Sequence, residues 1–295
     1  MQRFAAVARE LLAQCGARYE SAPAQPVAGG SGTECYRWLG DGAPLFVKVA
    51  PRGQFALFEA EAAGLAELAR ARAVRVPEVR ACGVADSLAF LALEWIEAGV
   101  RGPESAAQLG AQLAALHAVS APRYGWNRDN SIGRTPQKNA WMEEWVSFFG
   151  ERRLRPQLEL AIERGCGALL AEPAARLLES LPQLLGAHRP SASLLHGDLW
   201  GGNWLVSASG EPVIYDPAVY YGDRETDLAM TRLFGGFGNA FYAAYLAAAP
   251  LPPGADTRVT LYNLYHVLNH ANLFGGSYAQ QGRAMIERLL AEVRT

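Results

Sequence analysis

The segment Leu194-Leu-His-Gly-Asp-Leu-Trp-Gly-Gly-Asn-Trp-Leu205, followed by Val213-Ile-Tyr-Asp-Pro217, says more about this chain than any other part of it. It places Asp198 five residues before Asn203 and eighteen before Asp216. Asp and Asn are common in loops because their side chains cap and turn the backbone, so each of them alone is uninformative. Their combined spacing, between apolar runs, is hard to explain as turns.

This spacing fits the chemistry of phosphoryl transfer from ATP. Enzymes with protein-kinase-like sites use one carboxylate to receive a hydroxyl proton, and an amide and a second carboxylate to hold Mg²⁺ on ATP. The interval from Asp198 to Asn203 equals that of the kinase catalytic loop, H-R-D-x-x-x-x-N, with Gly197 in the place of Arg. Gly197, and Asp216-Pro217 instead of Asp-Phe-Gly, favour a kinase for small molecules. We therefore predict Asp198 as the base and Asn203 and Asp216 as magnesium ligands.

The composition limits the class of protein. The chain has 295 residues and is 50% hydrophobic, which suffices for one large domain or two lobes. No apolar run reaches the ~20 residues of a membrane span, and Met1 to Cys15 reads as an amphipathic helix rather than a signal peptide. The net charge of −2 predicts neither a nucleic acid nor a membrane partner. We expect a cytoplasmic protein with reduced cysteines, whose wide spacing is not that of a zinc or disulfide framework.

The order of the predicted elements divides the chain into two lobes, residues 1–97 and 98–295. In the first, strand patterns surround one helix, Gln54–Arg72; the clearest are Leu45–Val49, Val79–Val84 and Leu88–Leu93. The second is mainly helical, with helices predicted at Ser105–Val119, Asn139–Arg152, twice within Leu154–Leu185, and beyond Thr226. A loop carrying Asp198 precedes a hairpin of Trp204–Val206 with Val213–Tyr215. We predict an α+β, bilobal fold with a small antiparallel sheet and a hinge near Glu94 to Ala98.

Lys48 lies within a predicted strand, between a glycine-rich turn and a helix that holds glutamates. Kinases place a strand Lys on the α- and β-phosphates and steady it with a Glu from the next helix. Glu61 is the preferred partner and Glu59 the second, although a solvated helix face would also explain both. The turn Gly29-Gly30-Ser31-Gly32 is weak evidence alone, but between strands its N–H groups could close over phosphates.

Of three more residues near the segment, His196 and Asp227 have two interpretations each and Trp200 has one. His196 is better explained as a buried side chain that orients the loop than as a proton carrier, because Asp198 suits that task. Asp227 is either a helix cap or an anchor beneath the loop. Trp200 lies between the predicted base and Asn203, where its ring could stack on a sugar.

These residues resemble the fructosamine kinase (ketosamine 3-kinase) family, within the wider group of aminoglycoside phosphotransferase and choline kinase-like enzymes. The resemblance extends from about Gly29 to Gln281. His196-Gly-Asp198 with the following Asn is shared across the wider group. The segments Thr135-Pro-Gln-Lys-Asn139 and Leu233-Phe-Gly-Gly-Phe237 are far more specific to fructosamine kinases.

The resemblance implies a protein-kinase-like fold and ATP- and Mg²⁺-dependent phosphorylation of the 3-hydroxyl of a ketosamine, the sugar adduct that glycation leaves on a free or protein-bound amine. The unstable 3-phosphate then releases the amine, which is a deglycating repair. By the same analogy Lys48 and Glu61 orient phosphates, and the backbone of Glu94, Trp95 and Ile96 contacts adenine. The resemblance also points to acceptor-side residues: Trp200, Arg134, Lys138, Asp223, Arg224, His270 and Asn272.

One departure and two alternatives accompany this interpretation. Many relatives carry Cys where this chain has Ser31, so a thiol-linked dimer of their kind is not expected, and the sequence leaves the oligomeric state open. A kinase for another small hydroxylated substrate, such as an aminoglycoside, choline or a sugar, remains the enzyme alternative. A non-catalytic pseudokinase is disfavoured because Asp198, Asn203, Asp216 and Lys48 are all present.

Overall fold

The structure, a computed structural model, describes residues 2–20, 25–29, 33–186 and 188–293. Its first part contains two helices and a five-stranded antiparallel sheet of order β1-β2-β3-β5-β4. In chain order these elements are α1 (Gln2–Cys15), β1 (Gln25–Pro26), β2 (Glu34–Trp38), β3 (Leu45–Pro51), α2 (Phe55–Ala71), β4 (Val79–Ala85) and β5 (Leu88–Glu94). The predicted strands and the predicted helix of this part are confirmed to within a few residues.

Alternation along β3 decides which way Lys48 points. Successive side chains of a strand face opposite sides of the sheet. Leu45, Val47 and Val49 face a core shared with α1, whereas Ala50 belongs to the core beneath α2 and partly buried Phe46 packs against it. Lys48, between Val47 and Val49, therefore lies on the α2 side. In register it stands opposite Cys35 of β2 and Leu91 of β5, in the middle of the sheet.

The second part is mainly helical, as predicted, with eight helices and seven short strands in the described residues. Its first elements are α3 (Pro103–Ala118), β6 (Ser120–Ala121), β7 (Asn130–Ile132), β8 (Thr135–Gln137), α4 (Trp145–Phe149), α5 (Arg155–Ala161) and α6 (Gly167–Leu185). The later ones are β9 (Ala192–Leu195), β10 (Trp204–Val206), β11 (Pro212–Ile214), β12 (Tyr220–Gly222), α7 (Glu225–Leu233), α8 (Asn239–Ala248), α9 (Ala255–Phe274) and α10 (Tyr278–Val293). π-Helical turns, Gly150–Leu154 and Ile162–Cys166, join α4 to α5 and α5 to α6.

The predicted helix Asn139–Arg152 is wrong in its first half, because α4 begins only at Trp145. The preceding residues are extended: Met142 and Tyr124 exchange backbone hydrogen bonds, and the Asn139 carbonyl accepts one from Trp126. Trp141 and Trp145 therefore do not share a helix face. Pairing with a segment 13 to 18 residues earlier overrides the local helical pattern.

Two small sheets carry the Asp198 segment. Strand β9 pairs with β12 on one side and β6 on the other, and it ends immediately before His196. The predicted hairpin is confirmed as β10 with β11, shifted by one residue in its second strand. The core of the helical part also contains Leu68 of α2 and Val74, which follows it. No described helix is long and apolar enough to cross a membrane.

Candidate active site

A cleft of about 870 Å³ lies between the five-stranded sheet, helix α2 and the β9–β11 region. Five residues singled out in the sequence line it together: Lys48, Glu61, Asp198, Asn203 and Asp216. They come from a strand, a helix and two loops that are up to 168 residues apart in the chain. The fold therefore brings the predicted group together in one place.

Asp227 anchors the loop that presents Asp198. Its two carboxylate oxygens accept hydrogen bonds from the backbone N–H groups of His196 and Gly197, both at 2.8 Å. His117 donates to the same carboxylate at 3.1 Å. Burial by itself would raise the pKa of Asp227, but the hydrogen-bond donors outweigh burial and lower the pKa. Of the two interpretations from the sequence, the structure supports the anchor beneath the loop.

His196 is buried and orients the same loop. Its Nε2 lies 2.9 Å from the carbonyl of Tyr215, and its Nδ1 accepts a bond from the N–H of Asp198 at 3.3 Å. Together these contacts assign the proton to Nε2. Burial lowers the pKa of His196, which keeps the ring neutral. We therefore assign His196 an orienting role.

Gly197 is required by the shape of this loop. Its φ of +83° lies in the left-handed region, and a Cβ there would be 2.1 Å from the carbonyl oxygen of Ala218. The Ala218 N–H donates to the His196 carbonyl at 2.8 Å, so the two segments run in close contact. An Arg, which occupies this place in protein kinases, would not fit.

Asp198 has an environment suited to proton transfer. Burial, with smaller contributions from the charges of Asp216 and Asp227, raises its pKa to about 7. The Asn203 side-chain amide donates to the Asp198 backbone carbonyl at 2.9 Å and more weakly to its carboxylate at 3.4 Å, which holds the loop closed over five residues. A carboxyl group whose pKa is near 7 can accept a hydroxyl proton at physiological pH.

Asn203 and Asp216 meet the requirements of a magnesium site. The Asn203 Nδ2 atom is engaged by Asp198, while none of the described residues donates a hydrogen bond to its Oδ1 atom. The backbone of Asp216 has a φ of +57°. The N–H of Tyr215, its neighbour, donates to the Asn203 carbonyl at 3.0 Å, so the segments that carry Asn203 and Asp216 are hydrogen-bonded to each other. Mg²⁺ prefers hard oxygen ligands such as a carboxylate and an amide oxygen. The donor set therefore fits the ion.

Lys48 is almost completely buried and contacts two carboxylates. Its Nζ lies 2.7 Å from Glu61 and 2.6 Å from Asp216. Burial alone would lower the pKa of Lys48, but the two carboxylates outweigh it and raise the pKa, so the side chain stays charged. Glu59, the second choice as partner, instead binds Arg128 at 3.0 Å. Lys48 thus links Glu61 of α2 to Asp216, which the sequence predicts as a magnesium ligand.

One end of the cleft has apolar walls. Phe46, Leu93, Ile96 and Leu205 line it, and Trp95 lies beside Phe46 with ring centroids 6.5 Å apart. The Glu94 side chain is bound by Arg75 at 2.6 Å, and its backbone N–H donates to the Glu78 carbonyl at 2.8 Å. Gly29 lines the cleft against Phe46 and Cys35. Gly30, Ser31 and Gly32 lie outside the described residues.

Three of the acceptor-side candidates are near the cleft. Arg134 lines it with its neighbours on the β7–β8 hairpin. The Trp200 ring, 40% exposed, lies over Gly202 and meets the edge of Phe234 at 6.4 Å. Phe234 in turn contacts His270 at 4.8 Å. Phe234 was not singled out as a site residue, because an apolar residue in a glycine-rich turn gives no chemical signal.

The structure places the other four candidates elsewhere. Lys138 is exposed and binds Asp129 at 2.8 Å. The Asn272 amide is buried and donates to Gln157. Asp223 accepts bonds from Tyr262 at 2.6 Å and from His188 at 2.7 Å, and Arg224 holds the Ala249 carbonyl at 2.9 Å. Asp223 and Arg224 border a separate depression with Arg258, so hydrogen bonding within the fold accounts for them.

The comparisons with known proteins agree with this geometry. The fructosamine kinase family profile matches residues 3–292. A probable ketoamine kinase of Synechocystis is 43% identical, over 96% of both chains. The chloroplastic protein-ribulosamine 3-kinase of Oryza sativa subsp. japonica is 40% identical, over 87% of this chain and 75% of its own length. A crystal structure assigned to a fructosamine-3-kinase of Haemophilus somnus superposes with a TM-score of 0.89 at 29% identity, over 97% of both chains. The chain belongs to the fructosamine kinase family.

Proposed function

We propose that this protein is an ATP-dependent ketosamine 3-kinase, which phosphorylates the 3-hydroxyl of fructosamine- or ribulosamine-type adducts and so leads to deglycation. The convergence of Asp198, Asn203, Asp216 and the Lys48–Glu61 pair on one cleft carries this proposal. Membership of the fructosamine kinase family and the names of the two relatives support the substrate class. A cytoplasmic location is part of the proposal.

The chain's own residues divide the work as follows. Asp198 receives the proton of the acceptor hydroxyl as that oxygen attacks, and its pKa of about 7 keeps a useful fraction ionised at neutral pH. Lys48, held by Glu61, orients the phosphates. Asn203 and Asp216 would hold Mg²⁺, whose charge neutralises the phosphate oxygens. Catalysis in this class is chiefly positioning and charge neutralisation, and both depend on the loop that Asp227 anchors.

The acceptor side favours a sugar with one amine over a polycation. Near Trp200 the cleft is lined by Asn130, Ser131, Gly133 and Arg134. Besides Asp198, the carboxylates among the described lining residues are Glu61, Glu94, Glu97 and Asp216, which we assign to the nucleotide and metal side. The positive charge of Arg134 disfavours an aminoglycoside with several ammonium groups more than a ketosamine with one amine.

The test is a coupled ADP-release assay with Mg·ATP and a panel of ketosamines, with choline and an aminoglycoside alongside. We expect turnover on ribulose- or fructose-derived amines and a loss of at least about 100-fold in Asp198→Ala, the usual worth of a general base. Turnover confined to choline or the aminoglycoside would refute the substrate class. Near wild-type kcat in Asp198→Ala or Asp216→Ala would refute the assigned roles.

A further inference from the structure

Helix α2 carries Glu61 on one face and a second set of contacts on another. Phe58, Glu61 and Leu65, at helical spacing of three and four, face the five-stranded sheet and Lys48. Ala60, Gly64 and Glu67, at spacing of four and three, form a second stripe. A Cβ on Gly64 would lie 3.3 Å from Val219 and 3.4 Å from Pro217, so this stripe packs directly on the chain that follows Asp216.

Two polar contacts join α2 to the helical part of the protein, one at Glu59, beside this stripe, and one at Glu67, its last residue. In the second turn of α2, Arg128 binds the Glu59 carboxylate at 3.0 Å. Two turns later, the Tyr221 hydroxyl donates to the Glu67 carboxylate at 2.8 Å. Glu61 lies between these two points. The position of Glu61 along and around the helix axis is therefore set from both sides by residues outside the sheet.

Tyr221 is itself held firmly. Strand β12, which carries it, pairs with β9, and Tyr221 also exchanges two backbone hydrogen bonds with Gly125, at 2.9 and 2.8 Å. The Trp141 ring lies beside its ring at 5.9 Å. Burial and the neighbouring Glu67 raise the pKa of Tyr221, so its hydroxyl remains a donor at neutral pH. The same strand pairing that leads into His196 and Asp198 thus also aims the hydroxyl at α2.

We infer that Tyr221 and Arg128 are positioning residues for nucleotide binding: they hold α2 so that Glu61 keeps Lys48 aligned with the phosphates. The inference rests on the proposed function only in requiring that the cleft bind ATP. The Lys48–Glu61 pair is then assembled by the fold itself, because its helix is fixed to the part of the protein that carries Asp198, Asn203 and Asp216.

The measurement is the Kd for Mg·ATP by calorimetry, without acceptor, in the full-length chain. Removing one hydrogen bond to a carboxylate should raise this Kd about three- to tenfold in Tyr221→Phe, and about two- to fourfold in Arg128→Gln, because the Arg128–Glu59 ion pair is partly exposed. Glu67→Gln, whose amide oxygen can still accept the tyrosine hydroxyl, should restore most of the affinity that Glu67→Ala loses. In the Glu61→Gln background, Tyr221→Phe should change the Kd by less than about twofold, because the coupled element is already gone.

Two variants serve as matched controls. Arg70→Ala removes the exposed Arg70–Glu67 ion pair but leaves the Tyr221 contact. Tyr19→Phe removes a tyrosine hydrogen bond, to the Ala43 carbonyl, far from α2 in the chain. Both should bind ATP as the unaltered chain does. An unchanged Kd in Tyr221→Phe and Arg128→Gln, or a full additional loss in the Glu61→Gln background, would overturn the inference.

The assay also separates this inference from the proposed function. Normal ATP binding in the unaltered chain with no turnover of any ketosamine would refute the substrate assignment while the Kd comparison still decides the role of Tyr221. Raised KM for the ketosamine with unchanged Kd for ATP in Tyr221→Phe would count against the positioning role. Should Tyr221→Phe fail to fold, Arg128→Gln, at a partly exposed site, gives the same comparison.

Discussion

Gly201 and Gly236 approach each other so closely that a Cβ on Gly236 would lie 2.8 Å from the Cα of Gly201. This contact joins the loop after Asp198 to the turn between α7 and α8. On one side of it Phe234 meets Trp200, and on the other Phe237 stacks on Trp204 with centroids 5.7 Å apart. The turn therefore packs against the loop through a backbone contact between two glycines, with one aromatic pair on each side of it.

Gly236→Ala should weaken the packing of this turn against the loop after Asp198. A Cβ at this position would be strained by the φ of +93° and would clash with the backbone of Gly201. We therefore expect the substitution to lower the free energy of unfolding by roughly 1–2 kcal/mol and to reduce kcat clearly. Thermal denaturation and steady-state kinetics measure the two effects. Gly53→Ala is the matched control, since a Cβ there meets nothing within 4 Å and its φ lies outside the left-handed region. Equal effects of the two substitutions would contradict the close-approach argument.

Activity should fall with acidity as Asp198 takes up a proton. Because its pKa is raised to about 7 by burial and by Asp216 and Asp227, the base is mostly protonated below pH 7. We expect kcat/KM, which reports the free enzyme, to decrease about tenfold per pH unit well below 7 and to level off above it. A profile that stays flat from pH 5.5 to 8 would show that another group limits the reaction.

Asp198→Asn should be inactive yet more stable at alkaline pH. A carboxyl whose pKa is raised on folding costs stability above its unfolded pKa, and the cost is complete once the pH exceeds the folded value near 7. The Tm difference, variant minus unaltered chain, should therefore be larger at pH 8 than at pH 5. A difference that shrinks toward pH 8 would mean that the carboxylate is stabilised, not strained, by its surroundings.

Lys48→Met should have the opposite effect on stability. It leaves Glu61 and Asp216 without their cation, and we expect a loss of roughly 2 kcal/mol, less than for a fully buried pair because Asp216 is partly exposed. ATP binding should weaken in parallel. In the double variant Lys48→Met/Glu61→Leu, denaturant unfolding should recover part of the stability while ATP binding stays weak. Unchanged ATP affinity in Lys48→Met would contradict the phosphate-orienting role.

Arg134 and Lys138, four residues apart at the β7–β8 hairpin, offer a matched pair for the acceptor side. Arg134 lines the cleft, whereas Lys138 is exposed and bound to Asp129. Arg134→Ala should raise the KM for the ketosamine several-fold and leave the KM for ATP unchanged. Lys138→Ala should leave both within about twofold, as for most surface substitutions. Equal increases from both would indicate a general electrostatic effect on the acceptor.

The sequence predicted the chemical side chains of the site better than the short strands that position them. Four residues stand out in the sequence because turns and caps do not explain their combined spacing: Lys48, Asp198, Asn203 and Asp216. The structure brings them together in one cleft. The fold class and nearly all helices were also readable, since the long helices have strong apolar periodicity. Strands β9 and β12, of four and three residues, were missed because their pairing partners are distant in the chain.

The acceptor side shows the limit of the same reasoning. Only the family resemblance pointed to Asp223 and Arg224, and the sequence does not show which partners their charged side chains have. Their hydrogen-bond partners, Tyr262 and the Ala249 carbonyl, lie 25 or more residues away and only the fold reveals them. Phe234 contacts Trp200 and His270, which are 34 and 36 residues away from it in the chain, and the sequence alone does not show this contact.

The inclusion of Leu68 and Val74 in the core of the helical part has a consequence for biosynthesis. The Arg75 carbonyl accepts a bond from Ile214, and α2 packs on Pro217 and Val219, so this region lacks its partners until some 140 further residues have left the ribosome. We expect the nascent sheet to stay incompletely ordered, and open to chaperones, until the chain beyond Tyr221 emerges. Residues 1–97 alone would then be a poor folding unit, despite containing an entire sheet.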